Sequence, residues 1–461
     1  MPQNFKELWG IISGIFDEAG ELSKTLPGFE LRPGQNRMVE AVFETFVEDG
    51  ITAIEAGTGI GKTFAYLIPA VYISRALGEP VVVSTKTINL QEQILNKDIP
   101  FMQNSLKEEF SAVMVKGWGN YLCLRRLRKI QSAQAEFDYE EMVNFKKLEN
   151  WAKKTTTGDR SDIEFEVISR VWDQIKAEYS VCSNRKCPWY SKCFFFNNRR
   201  KQKKANILIT NHALLFSHLA SIRNSPSDKP VGILPEFKRL ILDEAHHIEE
   251  VASDFLGESA SSAELYSMMD TLLRSRGRLE ESGLLPRIRA LKFAPSIQDT
   301  IRNIIDSYCI PQLNQLKLTA VDFFYEVSRH PHLEREKDKI RLTPDFWNAD
   351  YDLSRPYQSL LRELNGYRKH LSVLEEEIRR EDEELSAEIS GVICQLENYR
   401  NSLVNTWNLS DEDKIYSLEY NRLSKPAFVH FKSYPLSVSE ILYKELFKNM
   451  KSVVLTSATL A

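Results

Sequence analysis

Glu55-Ala56-Gly57-Thr58-Gly59-Ile60-Gly61-Lys62-Thr63 follows the apolar run Ile51-Thr52-Ala53-Ile54 and precedes a second apolar run reaching about Leu77. The order is a short buried strand, a glycine-rich turn and a helix opened by Lys-Thr, which is the arrangement that cradles phosphate. Gly57, Gly59 and Gly61 let backbone N–H groups converge on phosphate oxygens, and the helix N-terminus adds the positive end of its dipole. Ala56, Gly57, Thr58, Gly59, Ile60 and Gly61 would therefore wrap the phosphates of a nucleotide. Lys62 would reach the β- and γ-phosphates, and the Thr63 hydroxyl would ligate Mg²⁺. A plain strand–helix turn explains the glycines but neither the lysine nor the threonine.

The same alternation continues outward. Residues 36–47 have helical spacing, Val81-Val82-Val83-Ser84 reads as a strand, and a helix follows through Gln91 and Ile94. Asn206–Thr210 and Arg239–Asp243 read as further buried strands. Strands alternating with helices imply a parallel sheet covered on both faces. Asp243 ends its strand, so its carboxylate would lie at the sheet edge where α/β folds bind ligands. It would hold Mg²⁺ through water, and Glu244 would position and deprotonate an attacking water. Ala245 and His246 complete this acidic motif.

Composition narrows the class. Hydrophobic residues are 43% and charged residues 27% of 461, with net charge -4. That is globular composition with length for about three domains, and it excludes a wholesale basic nucleic-acid coat. The longest apolar run, Phe64 to Ile73, is too short to span a bilayer. The N-terminus reads as an amphipathic helix, not an export signal. A cytoplasmic protein with reduced thiols, without a membrane partner and monomeric, is the expectation.

Cys123, Cys182, Cys187 and Cys193 have 58, 4 and 5 intervening residues. Four thiolates gathered this way read as a metal or cluster site. Zinc favours paired knuckles of roughly two to four residues. One remote cysteine with a looser trio suits a [4Fe–4S] cube, with one cysteine per iron. Spacing leaves both metals open. Cys309 and Cys394 read as small core residues.

Asp243-Glu244-Ala245-His246 is also the signature of superfamily 2 helicases, and further stretches resemble that family in order. Arg32 and Gln35 precede the first helix, where such proteins contact the nucleotide base. Thr85, Lys86, Thr87 and Gln91 resemble a motif gripping the nucleic-acid backbone, as do Asn211 and His212. Thr456, Ser457, Ala458 and Thr459 resemble the motif that couples hydrolysis to strand movement. Gly117-Trp118-Gly119-Asn120-Tyr121-Leu122-Cys123, the cysteine trio and Ala205–His212 extend the likeness. Together they resemble the bacterial DinG/YoaA group, which is similar to XPD helicases. The resemblance implies an ATP-dependent 5′→3′ DNA helicase of DNA repair or replication, with ATP, Mg²⁺ and a [4Fe–4S] cluster on the four cysteines. It implies single-stranded DNA and duplex junctions as partners, with Lys116 and Trp118 beside the strand. Relatives often carry a basic residue at position 118, so Trp118 either stacks on bases or packs.

The implied fold class is α/β, a RecA-like P-loop NTPase parallel sheet with an Fe–S cluster insertion and a helical Arch insertion. The expected domains are motor domain 1 in three parts (1–116, 206–250 and 426–461), a cluster domain (117–205) and an Arch (251–425). Residues 251–425 show no strand alternation, and 360–405 read as long paired helices with a skip near Glu381. Eight acids and two arginines between Glu375 and Glu388 read as a solvated helix face. The chain stops on Leu455-Thr456-Ser457-Ala458-Thr459-Leu460-Ala461, where the resemblance would begin a second motor domain. That domain is expected to be missing or separately encoded, leaving a half that binds ATP and single strands with little turnover.

Overall fold

Alternate residues of the central strands serve two different cores, which is why these strands read as unbroken apolar runs. The computed structural model describes residues 3–26, 28–57, 59–106, 108–132, 137–178, 182, 184–223, 233–276, 280–333, 338–347, 351–421 and 424–459. Two compact units emerge: Met1–Ala177 with Pro188–Leu256 and Ser437–Ala461, and Glu178–Cys187 with Gly257–Leu436.

In the first unit α1 (Gln3–Ile15), α2 (Pro33–Glu48) and α3 (Lys62–Leu77) accompany β1 (Ile51–Glu55), β2 (Val81–Thr85), β3 (Ala112–Met114), β4 (Ile207–Asn211) and β5 (Arg239–Asp243). The second unit contributes β6 (Ser259–Ser261), β7 (Lys339–Leu342), β8 (Lys414–Asn421) and β9 (Phe428–Pro435), and the first unit closes with β10 (Ser452–Ser457). The first unit's sheet is parallel throughout, in the order β1-β10-β5-β2-β4-β3. Val81, Val83, Ile207, Ile209, Ile241 and Val454 pack with residues of α2 and α3 on one face. Val82, Leu208, Leu240, Leu242 and Val453 pack with Leu215, Phe216 and Ile248 on the other. Burial on both faces is what a parallel sheet requires. β1 departs from the expected buried strand. It is an edge strand among the described residues, and Ile51 is 52% exposed.

The amphipathic reading of α1 holds: Ile12, Ile15 and Phe16 are buried, and the Trp9 ring lies 5.2 Å from that of Phe43. Within 117–205, α4 (Leu124–Ser132) and α5 (Phe194–Gln202) pack as part of the first unit, except for Glu178–Cys187. Residues 122–175 carry a hydrophobic cluster of their own around Leu148 and Trp172. Among the described residues, no helix is long and apolar enough to cross a membrane.

The second unit corrects the expectation of no strand alternation in 251–425 and leaves it mostly helical. It runs from 257 to 436 and carries a four-stranded antiparallel sheet, β6-β9-β8-β7. Along β9, Val429, Phe431 and Ser433 are buried while their neighbours are partly exposed. The β8–β9 pair straddles the expected boundary at 425, which hid it. α6 (Ile310–Ser328), α7 (Ser354–Arg379) and α8 (Glu383–Trp407) supply much of the core. The skip near Glu381 is the turn between α7 and α8, where Asp382 Oδ1 accepts the Leu385 N–H at 2.9 Å. The acidic run is not simply solvated: Glu375 is 6% exposed and accepts from the Arg379 guanidinium and the Ser386 hydroxyl.

His218 is buried in the first unit, and its Nδ1 accepts the Leu234 N–H at 3.2 Å. Burial, helped by nearby Arg199, pushes its pKa down to about 4. An unfolded histidine titrates near 6.5, so acid protonates the unfolded chain first. Stability from the neutral ring is intact above about pH 6.5 and lost as pH falls toward about 4. His218→Asn, which can accept the same N–H without titrating, should flatten the loss of thermal midpoint across that window. An unchanged slope would refute this role.

Candidate nucleotide-binding site

β1, β10 and β5 are neighbours in the sheet, so the segments that follow their carboxyl ends share one edge. The Ala56 N–H donates to the Ser457 carbonyl at 2.9 Å and ties the glycine loop to the end of β10. Gly59 and Gly61 have φ of 83° and 85°, which L side chains adopt only with strain. A Cβ at Gly57 or Gly59 would meet nothing within 4 Å, so the protein leaves that space open. Thr58 lies outside the described residues. Ile60 packs against the core beneath the loop.

Arg32 and Gln35 both reach the loop. An Arg32 Nη1–H donates to the Gly59 carbonyl, and Gln35 Nε2 donates to the Gly61 carbonyl at 3.1 Å. In this geometry they brace the loop backbone. Lys62, 13% exposed, places Nζ 3.7 Å from Glu244 Oε1. Glu244 is held in the left-handed region, φ 53° and ψ 48°, a strained conformation for a residue with a side chain. Its Oε2 lies 3.5 Å from His246 Nδ1, which is 2.6 Å from Ser457 Oγ. The Ser457 hydroxyl donates to the Thr459 carbonyl at 2.8 Å, so the His246 N–H is the donor to Ser457. Thr456 and Ser457 are buried, Ala458 is half-buried and Thr459 is exposed. A contact path thus runs Lys62–Glu244–His246–Ser457 across three segments of the chain.

Asp243 is 8% exposed. The Tyr66 hydroxyl donates to its Oδ2 at 3.1 Å, and the Glu244 N–H donates to its Oδ1 at 3.1 Å. Burial pushes its pKa up to about 6; the Tyr66 bond opposes this and the Glu244 charge adds to it. A carboxylate so placed, with the half-buried Thr63 at the start of α3, has the chemistry to hold a divalent cation. Sequence reasoning missed Tyr66. The available signal was its place four residues after Lys62, on the same helix face.

The other motif residues separate into surface and interior. Lys86 and Thr87 are exposed, whereas Thr85 and Gln91 are buried. Lys86 Nζ lies 2.9 Å from His247 Nε2, and Thr87 Oγ1 accepts the Leu90 N–H at 3.3 Å. Asn211 Oδ1 accepts the Leu214 N–H at 2.8 Å. His212 is fully buried, with Nε2 2.9 Å from the Asp243 carbonyl and Nδ1 2.8 Å from Ser84 Oγ. A carbonyl only accepts, so Nε2 carries the proton and Nδ1 accepts from Ser84. Burial pushes this ring down to about 4 and keeps it neutral. His212 therefore bridges three strand ends from within.

Lys116 is also interior, 2.7 Å from Asp159 Oδ2 and 2.7 Å from Ser161 Oγ. Trp118 packs: its ring stacks on Phe195 with centroids 3.6 Å apart. Arg128 lies over Trp189, and Arg200 over Tyr190. Cys123 and Cys193 pack into the same patch as Trp118, Tyr121 and Phe195, and Cys182 and Cys187 fall in the segment Glu178–Cys187. The six cysteines form no disulfide, and all four candidate ligands are half-buried. Their donor chemistry fits a thiolate-bound cluster. Among the described residues, however, no group of three or more His, Cys, Asp or Glu is arranged to hold a metal ion.

Residues 28–264 match the family model described as Type III restriction enzyme, res subunit. The chain is 29% identical over 466 residues to the 3′-5′ exonuclease DinG of Bacillus subtilis, covering 96% of this chain and 48% of that protein. It is 34% identical over 258 residues to the ATP-dependent DNA helicase YoaA of Haemophilus influenzae, covering 56% of this chain and 39% of the relative. To the helicase of the same name from Escherichia coli it is 31% identical over 286 residues, 62% and 44%. The chain spans less than half the length of each of these relatives.

Gly61→Ala should weaken ATP binding by about tenfold while leaving the circular dichroism unchanged, because φ of 85° suits only glycine. The new Cβ would also come within 2.3 Å of Gln35 Nε2. Wild-type affinity in this variant would contradict the loop geometry.

Proposed function

We propose, for a chain that belongs to the Type III restriction enzyme res-subunit family and within it to the DinG-type helicases, that it is the nucleotide-binding part of an ATP-dependent 5′→3′ DNA helicase acting in repair or replication. The observation that carries this reading is the path from Lys62 through Glu244 and His246 to Ser457. It joins the group that meets the phosphates to the segment resembling the coupling motif. ATP would enter over Gly57–Thr63, and its γ-phosphate would draw Lys62 away from Glu244. Thr63 and Asp243 would hold Mg²⁺, which when bound neutralises phosphate charge. Glu244, released from Lys62, would orient and deprotonate water, and His246 would pass the change in Glu244 to Ser457.

Single-stranded DNA would meet the exposed Lys86–Thr87 turn and the basic and aromatic side chains Arg128, Trp189, Tyr190 and Arg200. Cations lying over aromatic rings suit a sequence-tolerant strand surface. Cys123, Cys182, Cys187 and Cys193 would hold a [4Fe–4S] cluster, which when bound supplies a redox-capable brace. In support, all four thiols are outside disulfides and two already share one aromatic patch. Metal binding and local folding are commonly one equilibrium. The Lys62–Glu244 ion pair, which occupies both groups that hydrolysis would need, favours a second reading, an ATP- and strand-binding unit without turnover.

Hydrolysis with and without single-stranded DNA separates the two. Stimulated hydrolysis that stops in Glu244→Gln, with binding retained, establishes the motor. Binding without hydrolysis establishes the second reading, and no ATP binding refutes both. Protein purified without oxygen should contain iron and sulfide and be coloured. Cys187→Ser should lose the colour and keep ATP binding. A colourless, zinc-loaded protein would contradict the cluster.

A further inference from the structure

Asp243 meets a group that no motif names. Tyr66 lies one helical turn beyond Lys62 on α3 and is fully buried. Its hydroxyl donates to Asp243 Oδ2 at 3.1 Å. The second Asp243 oxygen takes the Glu244 N–H at 3.1 Å. A phenol has one proton, and here it goes to the carboxylate.

That bond matters for a cation, because a divalent ion binds lone pairs. By donating to Oδ2, Tyr66 fixes the carboxylate plane and leaves free lone pairs on both oxygens. We infer that Tyr66 is the positioning residue of the cation site, holding the Asp243 carboxylate so that it presents lone pairs to Mg²⁺. The inference rests on the proposed ATP–Mg²⁺ site and adds a residue to it. Phenylalanine would fill the same space and would leave Asp243 Oδ2 without that donor.

The test compares binding of a fluorescent ATP analogue to the 461-residue chain in Mg²⁺ and in EDTA. Tyr66→Phe should lose about tenfold of the Mg²⁺-dependent affinity, the scale of a hydrogen bond to a charged group. Its affinity in EDTA should match wild type, which a general packing defect would not allow. Because the residue acts through Asp243, Tyr66→Phe added to Asp243→Asn should cost much less than it costs alone. If Tyr66→Phe does not fold, 3-fluorotyrosine at position 66 provides the test. It keeps the shape and strengthens the bond to Asp243, so a shifted Mg²⁺ affinity with unchanged affinity in EDTA supports the role and an unchanged Mg²⁺ affinity overturns it. Equal Mg²⁺ dependence in wild type and a folded Tyr66→Phe also overturns it. If wild type shows no Mg²⁺-dependent binding, the nucleotide site itself fails, which is a separate outcome.

Discussion

The register of three parallel strands is the constraint from which the site follows. Ile54 and Glu55 of β1 stand beside Thr456 and Ser457 of β10, and Thr456 stands beside Asp243 of β5. Segments about 400 residues apart in sequence therefore end on one line. Lys62, Glu244, His246 and Ser457 touch because of it. A one-residue slip would turn every side chain to the opposite face, and the burial of both faces of β10 and β5 forbids that. The pairing that builds the core also aligns the chemistry.

Electrostatics explains why this edge suits a charged ligand. Asp243 is buried beside Glu244, and burial, with the Glu244 charge adding to it, raises its pKa to about 6. Lys62 is the cation facing Glu244, at 3.7 Å. A triphosphate would take Lys62, and its magnesium would offset the two acids, so binding would exchange one incomplete charge balance for a fuller one. The strained backbone of Glu244 fits this account, since it aims a carboxylate between Lys62 and His246. His212, neutral and enclosed, holds the ends of β2, β4 and β5 together. It thereby connects the Lys86 turn to Asp243 through one rigid ring.

Much of this was legible in the sequence where the local pattern dictates the structure. The Gly57–Thr63 turn, the strands at 81–85, 207–211 and 239–243, and the paired helices α7 and α8 follow from apolar period and turn chemistry. Tertiary partners decided what was not legible. β1 became an edge strand because no further strand pairs beyond it among the described residues. β8 was hidden because it follows directly on a region dominated by helical spacing, and β9 because it lies just past the boundary drawn at 425. Lys116 and Trp118 resembled strand-facing groups, yet Asp159 and Phe195, distant in sequence, occupy them. His212 carries a motif letter, but its burial makes it a brace. Conversely, Tyr66 looked like one more apolar residue of α3, because a phenol's single proton has no sequence signature.

The central claim is that Lys62 and the segments aligned with it form one ATP–Mg²⁺ site. Calorimetric titration of a non-hydrolysable ATP analogue with Mg²⁺ into the 461-residue chain, beside Lys62→Ala, tests it most directly. The account predicts one binding site per chain in wild type and none measurable in Lys62→Ala. Equal affinity in the two proteins would contradict it.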